Sequence, residues 1–569
     1  MSDLLKLVSS QYKYLPGRGE EIPRERILQG GSCLKNEPYS FQALYRAPKG
    51  TFCLPVSVKA ESELPMEAFR VDCIAVAHAA NPSGEAGYEW DRPGLYPDCL
   101  MPRPAAPEIE VFQKADGRDL YFEKDTDNLL NATGDDYGAV WFTVNPDSKE
   151  LRSGVYSIRV TLWDLTNRSL LGEEVLTLTV IDRALPSQDT YYTNWFYVDC
   201  LCDLFEVEPY SNKFYRLFDE HIRNMTRHRQ NTLLLPAFTP PLDTAVGDQR
   251  RNVQLVEVER TEGGWHFDFT KLRRYVRHAK RGGIRYFEHS HLFSQWGAKH
   301  APNIYDREGN RIFGFDTDAT SPEYVTFIRS YLTCFMEVAR EEGIDRRLVF
   351  HLSDEPKPEH LESYRAAHDA VADLLAGNPI CDAMNSMVFY RDGLVDQPIC
   401  RVGSLEQFDG ACPTKWMYYT GGVNEKNCTD RLVSNTAART RVLGVQMYRY
   451  EAKGFLQWAY NYYYDRLSRG FADPRGTPNA YKMYAGVTYL CYPVMGRGGR
   501  HVVPSVREKL MAEAMDDLRA LKALQAVQGR AATLALCTEY LGELGCETIP
   551  EGEALRLLRE RVNAALADN

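Results

Sequence analysis

From about residue 190 onwards a short apolar run is followed by a helical stretch, again and again, and few folds satisfy that rhythm. Eight strand-like runs can be counted, at 195–199, 232–236, 284–289, 348–353, 380–384, 400–405, 415–419 and 454–460. The clearest helix spans 321–342. Ser321 is a good N-cap, Pro322 suits the first helical position, and Val325, Ile328, Leu332, Phe335 and Ala339 recur every three or four residues before Gly343. A second helix starts near Pro358 and a third near Pro504. Eight strand-then-helix units predict an α/β barrel of the (β/α)8, TIM-like kind over 186–525. The gap between the sixth and seventh runs is too short for a full helix, so the barrel is irregular there or the count is off by one. A doubly wound sheet is the alternative, but no Gly-rich phosphate loop follows any run.

Residues 1–185 read differently. Short β-branched or aromatic runs at 51–58, 139–144, 154–163 and 174–181 are separated by turn-rich segments, which predicts an all-β sandwich. Segment 183–189 is the expected linker, and 526–569 reads as a short helical C-terminal extension. The fold class is thus multidomain: sandwich, barrel, helical tail.

Composition narrows the function classes. With 67 Lys+Arg against 78 Asp+Glu, the net charge of −11 offers no basic surplus for nucleic acid or an anionic membrane. No stretch approaches the roughly 18 apolar residues of a membrane span. The first residues lack a signal-peptide pattern, and the 14 Cys are scattered without zinc spacing, so a cytoplasmic protein with reduced thiols is expected. The 34 Tyr and 8 Trp serve packing in the main.

In a barrel the active site lies at the C-terminal ends of the strands. The fourth run ends in His351-Leu-Ser-Asp354-Glu355-Pro356. Adjacent strand residues point to opposite faces, but where the chain turns both carboxylates can reach one cavity, and one pKa should then rise. Asp354 as a helix cap with a solvated Glu355 is the plainer reading. The third run ends in Glu288-His289-Ser290-His291, with Trp296 beyond. Glu288, His289 and His291 could bind a metal, although no third strong ligand is evident and a polar sugar-binding wall suits the segment better. Trp458, Tyr460 and Asn461 end the eighth run, and Trp416, Tyr418 and Tyr419 end the seventh. Such residues at a barrel mouth suit a sugar platform, against plain packing on the sandwich. There is no Gly-x-Ser-x-Gly elbow, His-Glu-x-x-His, Walker A or paired Cys-x-x-Cys. Carboxylates with Trp, Tyr, Asn and His at strand ends make a glycoside hydrolase pattern.

Several segments resemble glycoside hydrolase family 123 and the large group of barrel proteins around it. They are Pro93-Gly-Leu-Tyr-Pro-Asp-Cys-Leu, Phe238-Thr-Pro-Pro-Leu-Asp-Thr, Val253-Gln-Leu-Val, His291-Leu-Phe-Ser-Gln-Trp-Gly-Ala, His351-Leu-Ser-Asp-Glu-Pro, Gly454-Phe-Leu-Gln-Trp-Ala-Tyr-Asn and Pro504-Ser-Val-Arg-Glu. The likeness spans roughly 90–520. One departure is Ala485-Gly-Val-Thr-Tyr-Leu-Cys-Tyr-Pro, which lacks the Asp of the group's Gly-Asp. The resemblance implies a retaining exo-β-N-acetylgalactosaminidase in which the sugar's own 2-acetamido oxygen attacks the anomeric carbon. Asp354 would then orient the acetamido group and stabilise the oxazolinium intermediate. Glu355 would act as acid, then base, and a Tyr, with Tyr419 and Tyr390 as candidates, would bind the acetamido oxygen. The partner implied is a glycan or glycoconjugate with a terminal N-acetylhexosamine, with no cofactor and no metal; a homo-oligomer is left open. Two other readings stand beside it: a double-displacement glycosidase with Glu355 as acid/base and Glu406 or Glu451 as nucleophile, and a non-catalytic carbohydrate-binding relative.

Overall fold

The computed structural model describes residues 3–79, 87–113, 117, 119–124, 130–240, 250–421, 427–476, 484–495 and 499–568. Positions 241–244 of the segment beginning at Phe238 lie outside them.

The N-terminal region is all β. One five-stranded antiparallel sheet runs in the order Leu5–Ser9, Tyr39–Tyr45, Gly138–Val144, Met66–Val76, Gly94–Arg103. The other runs Gly30–Leu34, Ser169–Ile181, Gly154–Asp164, Leu54–Glu61, Leu130–Ala132, with Gly30–Leu34 joined in parallel. Alternation decides which side chains face inward. Val140, Phe142 and Val144 of the first sheet share one buried core with Ile158, Val160 and Leu162 of the second.

An α/β region follows. Its parallel strands fall into a five-stranded sheet, in the order Tyr191–Asn194, Gly454–Gln457, Trp416–Tyr418, Ile399–Arg401, Ala383–Met384, and a three-stranded one, Thr232–Leu235, Tyr286–His289, Leu348–Phe350. The sheets meet at two seams. At one, the Asn231 backbone N–H donates to Tyr192 O at 3.2 Å and its side-chain oxygen accepts the Tyr192 N–H at 2.9 Å. At the other, the Cys381 N–H donates to Phe350 O at 2.8 Å. One face of these strands gathers Leu234, Val349, Ile399, Trp416, Tyr418 and Leu456 into a single cluster. The opposite face packs on helices: Leu233, Leu235 and Phe287 against Phe327 and Ile328, and Met417 and Phe455 against Met511 and Ala514.

The helices begin where their caps dictate. Pro322–Glu341 is preceded by Ser321, whose side chain accepts the Tyr324 N–H. Val506–Gln528 is capped in the same way by Ser505 on the Glu508 N–H and runs across the expected boundary at 525. The short sixth gap holds a 3-10 stretch, Val402–Phe408, in place of a helix. The first strand needs correcting. It is Tyr191–Asn194, not 195–199, because the chain leaves the sheet at Trp195 and enters the helix Val198–Leu204. The more apolar run, 195–199, leads into that helix, and the paired residues are the polar–aromatic four before it.

Two helices close the chain, Arg530–Leu541 and Ala554–Ala567. The last one returns to the N-terminal strands, where Arg559 donates to Glu37 at 2.6 Å and Asn563 to Ser32 O at 3.1 Å. Two of the sequence segments meet here as well. Arg507 Nε lies 2.9 Å from Asp98 Oδ2 with both side chains at 0% exposure, and the Tyr492 hydroxyl donates to the same oxygen at 2.6 Å. No helix among the described residues is long and apolar enough to cross a membrane.

Candidate active site

Strand Leu348–Phe350 carries the chain to Asp354 and Glu355. Glu355 takes φ +43°, a left-handed conformation that is disfavoured for a residue with a Cβ. Its N–H donates to Ala383 O at 3.1 Å, which pins the turn to the neighbouring strand. The Tyr418 hydroxyl donates to Glu355 Oε1 at 2.7 Å. Asp354 is held from the other side: its carbonyl accepts the Trp296 N–H at 2.9 Å and its carboxylate accepts Gln295 Nε2 at 3.3 Å. Three other segments, at 295–296, 383 and 418, therefore converge on the carboxylate pair at 354–355.

Burial first, then the charge of Glu355, pushes the Asp354 carboxyl up to about 8. The sign for stability follows. Between the ordinary carboxylate pKa and about 8 the folded chain binds a proton here that the unfolded chain does not, so this group makes stability fall as pH rises. Asp354→Asn is expected to raise the melting temperature relative to the parent, by an amount that grows from pH 4 to pH 8. A gap that stays flat or shrinks over that range, read by calorimetry, would show that the proton is not held there.

Behind the pair lies a buried ionic chain. His351 Nε2 is 3.0 Å from Glu288 Oε2 and its Nδ1 is 3.4 Å from Asp382 Oδ1. Burial opposes the imidazolium, but these two carboxylates hold its pKa up to about 9. Glu288 also accepts Trp195 Nε1 at 2.9 Å and the Thr193 hydroxyl. Asp382 accepts the backbone N–H groups of Leu352 and Ser353, each at 3.1 Å, and the Tyr364 hydroxyl at 2.5 Å. His291 stacks on His351 with ring centroids 4.9 Å apart, and burial holds its pKa well below the usual value.

Glu288, His289 and His291, the minor metal alternative, do not come together. Alternation turns His289 away from Glu288, to where its Nε2 meets the Tyr331 hydroxyl at 2.7 Å, and His291 lies beyond the strand end at His289 and turns back onto His351. The donor atoms that do come together belong to His291, His351 and Asp382, within 4.8 Å of one another. Two of the three are already engaged: His351 meets Glu288 at 3.0 Å and Asp382 accepts two backbone N–H groups.

The expected aromatic platform also needs correcting. Trp296 is 60% exposed and Trp458 half-buried, so both can present a ring face. Trp416 is fully buried, stacked on Tyr191 at 4.7 Å. Tyr419 points away from the carboxylates, its hydroxyl against Met511 Sδ at 3.4 Å, and Tyr390 packs in the same outer core. The Tyr460 hydroxyl accepts Asn224 Nδ2 at 2.7 Å, and Asn461 clamps the Tyr197 backbone. Glu406 lies against the Tyr450 hydroxyl, and Glu451 is 3.7 Å from Arg530 at the start of the helix Arg530–Leu541. Sequence reasoning places Tyr418 on the rim without a role and misses Asp382. The two-residue period separates Tyr418, which shares a face with Trp416, from Tyr419, but does not say which face meets the carboxylates. Asp382 carried no motif.

A profile described as the glycoside hydrolase 123 catalytic domain matches residues 195–524. No curated protein matches the chain. Among solved structures, a family 123 glycoside hydrolase from Clostridium perfringens, studied for glycolipid glycan hydrolysis, is 10% identical with a TM-score of 0.70; the match covers 99% of this chain and 97% of that one. A family 39 glycoside hydrolase from Bacteroides cellulosilyticus WH2 is also 10% identical, covering 86% and 82% of the two chains at a TM-score of 0.32.

Proposed function

The chain belongs to glycoside hydrolase family 123 and is a glycosidase, and from that premise we propose that it is a retaining exo-β-N-acetylgalactosaminidase working through the substrate's own acetamido group. The observation that carries this reading is the pairing of two adjacent carboxylates, Asp354 and Glu355, while Glu406 and Glu451 make their contacts with Tyr450 and Arg530. A conventional retaining enzyme needs a nucleophilic carboxylate roughly 5–5.5 Å from the acid, across the scissile bond. Substrate assistance needs an orienter beside the acid instead.

In this mechanism the acetamido oxygen closes on the anomeric carbon as the glycosidic bond breaks, and Glu355 delivers its proton to the leaving oxygen. The pair enters with one proton, which burial places on Asp354 in the free protein. Donation of the acetamido N–H to Asp354 favours its charged form, so the proton then resides on Glu355. Water opens the oxazolinium ion with Glu355 as base. Tyr418, already bonded to Glu355, replaces Tyr419 and Tyr390 as the candidate tyrosine for the acetamido oxygen.

The eight parallel strands are read as one (β/α)8 barrel over 186–525, supported by hydrogen bonding at both seams. The sandwich is assigned to 1–185 and the helical extension to 526–569.

The test is a panel of aryl β-glycosides with and without the 2-acetamido group, together with a thiazoline mimic of the oxazoline. Turnover confined to 2-acetamido substrates and inhibition by the thiazoline are expected. Hydrolysis of 2-hydroxy substrates with indifference to the thiazoline would support double displacement in its place.

A further inference from the structure

We propose that Arg401 forms an anion-binding subsite beside the carboxylate pair, so that the sugar or its neighbour in the glycan carries a sulfate or carboxylate group. This deepens the glycosidase reading and rests on it. Arg401 ends strand Ile399–Arg401 and pairs in register with Tyr418, the residue bonded to Glu355. Ile399 and Trp416, the pair below, lie in the cluster on the same face as Tyr418, and the two-residue period puts Arg401 on that face too. Strand Ile399–Arg401 lies between Ala383–Met384, where the Ala383 carbonyl accepts the Glu355 N–H, and Trp416–Tyr418, where the Tyr418 hydroxyl donates to Glu355, so Arg401 ends the strand between two contacts of Glu355.

The Arg401 side chain has no hydrogen-bond or ion-pair partner among the described residues. It is half-buried, and its Nε is buried without an acceptor. Several buried arginines elsewhere leave at most one nitrogen open, as Arg507 does at Nη2, and hold a carboxylate with the others: Arg507 meets Asp98, Arg229 meets Asp516, Arg441 meets Asp517 and Arg559 meets Glu37. A donor fork left open costs free energy unless something fills it. A guanidinium matches the paired oxygens of a carboxylate or sulfate better than a lone hydroxyl. Placed beside two carboxylates, it also offsets the repulsion an acidic substrate would meet at this site.

The test uses the full chain and reads binding as well as turnover. Calorimetry compares N-acetylgalactosamine with its 6-sulfate and 4-sulfate, and with a disaccharide carrying a carboxylate sugar next to it. The parent is expected to bind one acidic ligand at least tenfold more tightly than the neutral sugar, with a preference that weakens in salt. Which ligand it prefers separates the sulfate from the carboxylate source. Arg401→Met should abolish the preference and Arg401→Lys should keep part of it, with circular dichroism confirming that both are folded. Equal affinity for acidic and neutral ligands in the parent, or equal loss of both in Arg401→Met, would overturn the proposal. A binding preference without turnover of any N-acetylhexosaminide would instead count against the catalytic reading and leave the subsite standing.

Discussion

Glu355→Gln is expected to lower kcat on a natural glycan by about 10³-fold, within the range a positioned general acid contributes. The side chain keeps its size and can still meet Tyr418, whose hydroxyl donates to Glu355 Oε1 at 2.7 Å in the parent, so folding should be unaffected. What disappears is the proton that the leaving oxygen needs. The deficit should therefore shrink on aryl substrates with acidic leaving groups, which depart with little protonation, while hydrolysis of the intermediate stays slow for want of a base. Steady-state and burst kinetics over a leaving-group series provide the check. A loss of the same size for every leaving group, with no burst, would mean that Glu355 is not the acid. Unchanged turnover in the variant would remove the pair from the chemistry altogether.

The largest stability effect is expected at Asp98. Asp98 and Arg507 are both fully buried and lie 409 positions apart in the chain, so their ion pair joins an N-terminal strand to the start of the helix Val506–Gln528. Asp98→Ala would leave the Arg507 guanidinium in the interior with only carbonyl acceptors, those of Arg431, Gly486 and Tyr489, and would strand the Tyr492 hydroxyl. Removing one partner of such a pair typically costs about 3–5 kcal/mol. The double variant Asp98→Ala/Arg507→Met should cost less than the sum of the two single changes, because no charge is left alone. Denaturant melts of the four proteins measure both quantities. Strict additivity would show that the two side chains do not interact.

Much of the architecture was legible because its signals are local. Ser321 and Pro322 mark a helix start by satisfying orphan N–H groups, and the helix does begin at Pro322. The Asp354-Glu355 pair is visible as two carboxylates before a proline at a strand end, but position alone favours a helix cap, and it is the family resemblance that gives the pair a chemical role. The rim was harder to read. Tyr419, Tyr390, Tyr460 and Trp416 have the composition of a sugar platform but are packed into cores, and composition does not record which face of a strand a ring occupies.

The sequence by itself determined the order of β and α segments, the family and the carboxylate pair, since each rests on spacing along the chain. Only the tertiary structure decided that Tyr418 rather than Tyr419 reaches Glu355, that His351 is held between Glu288 and Asp382, and that Asp98 finds Arg507. Those contacts join residues 31 to 409 positions apart. They form because low-dielectric burial makes an unpaired charge costly, a constraint that acts through space and leaves no period in the chain.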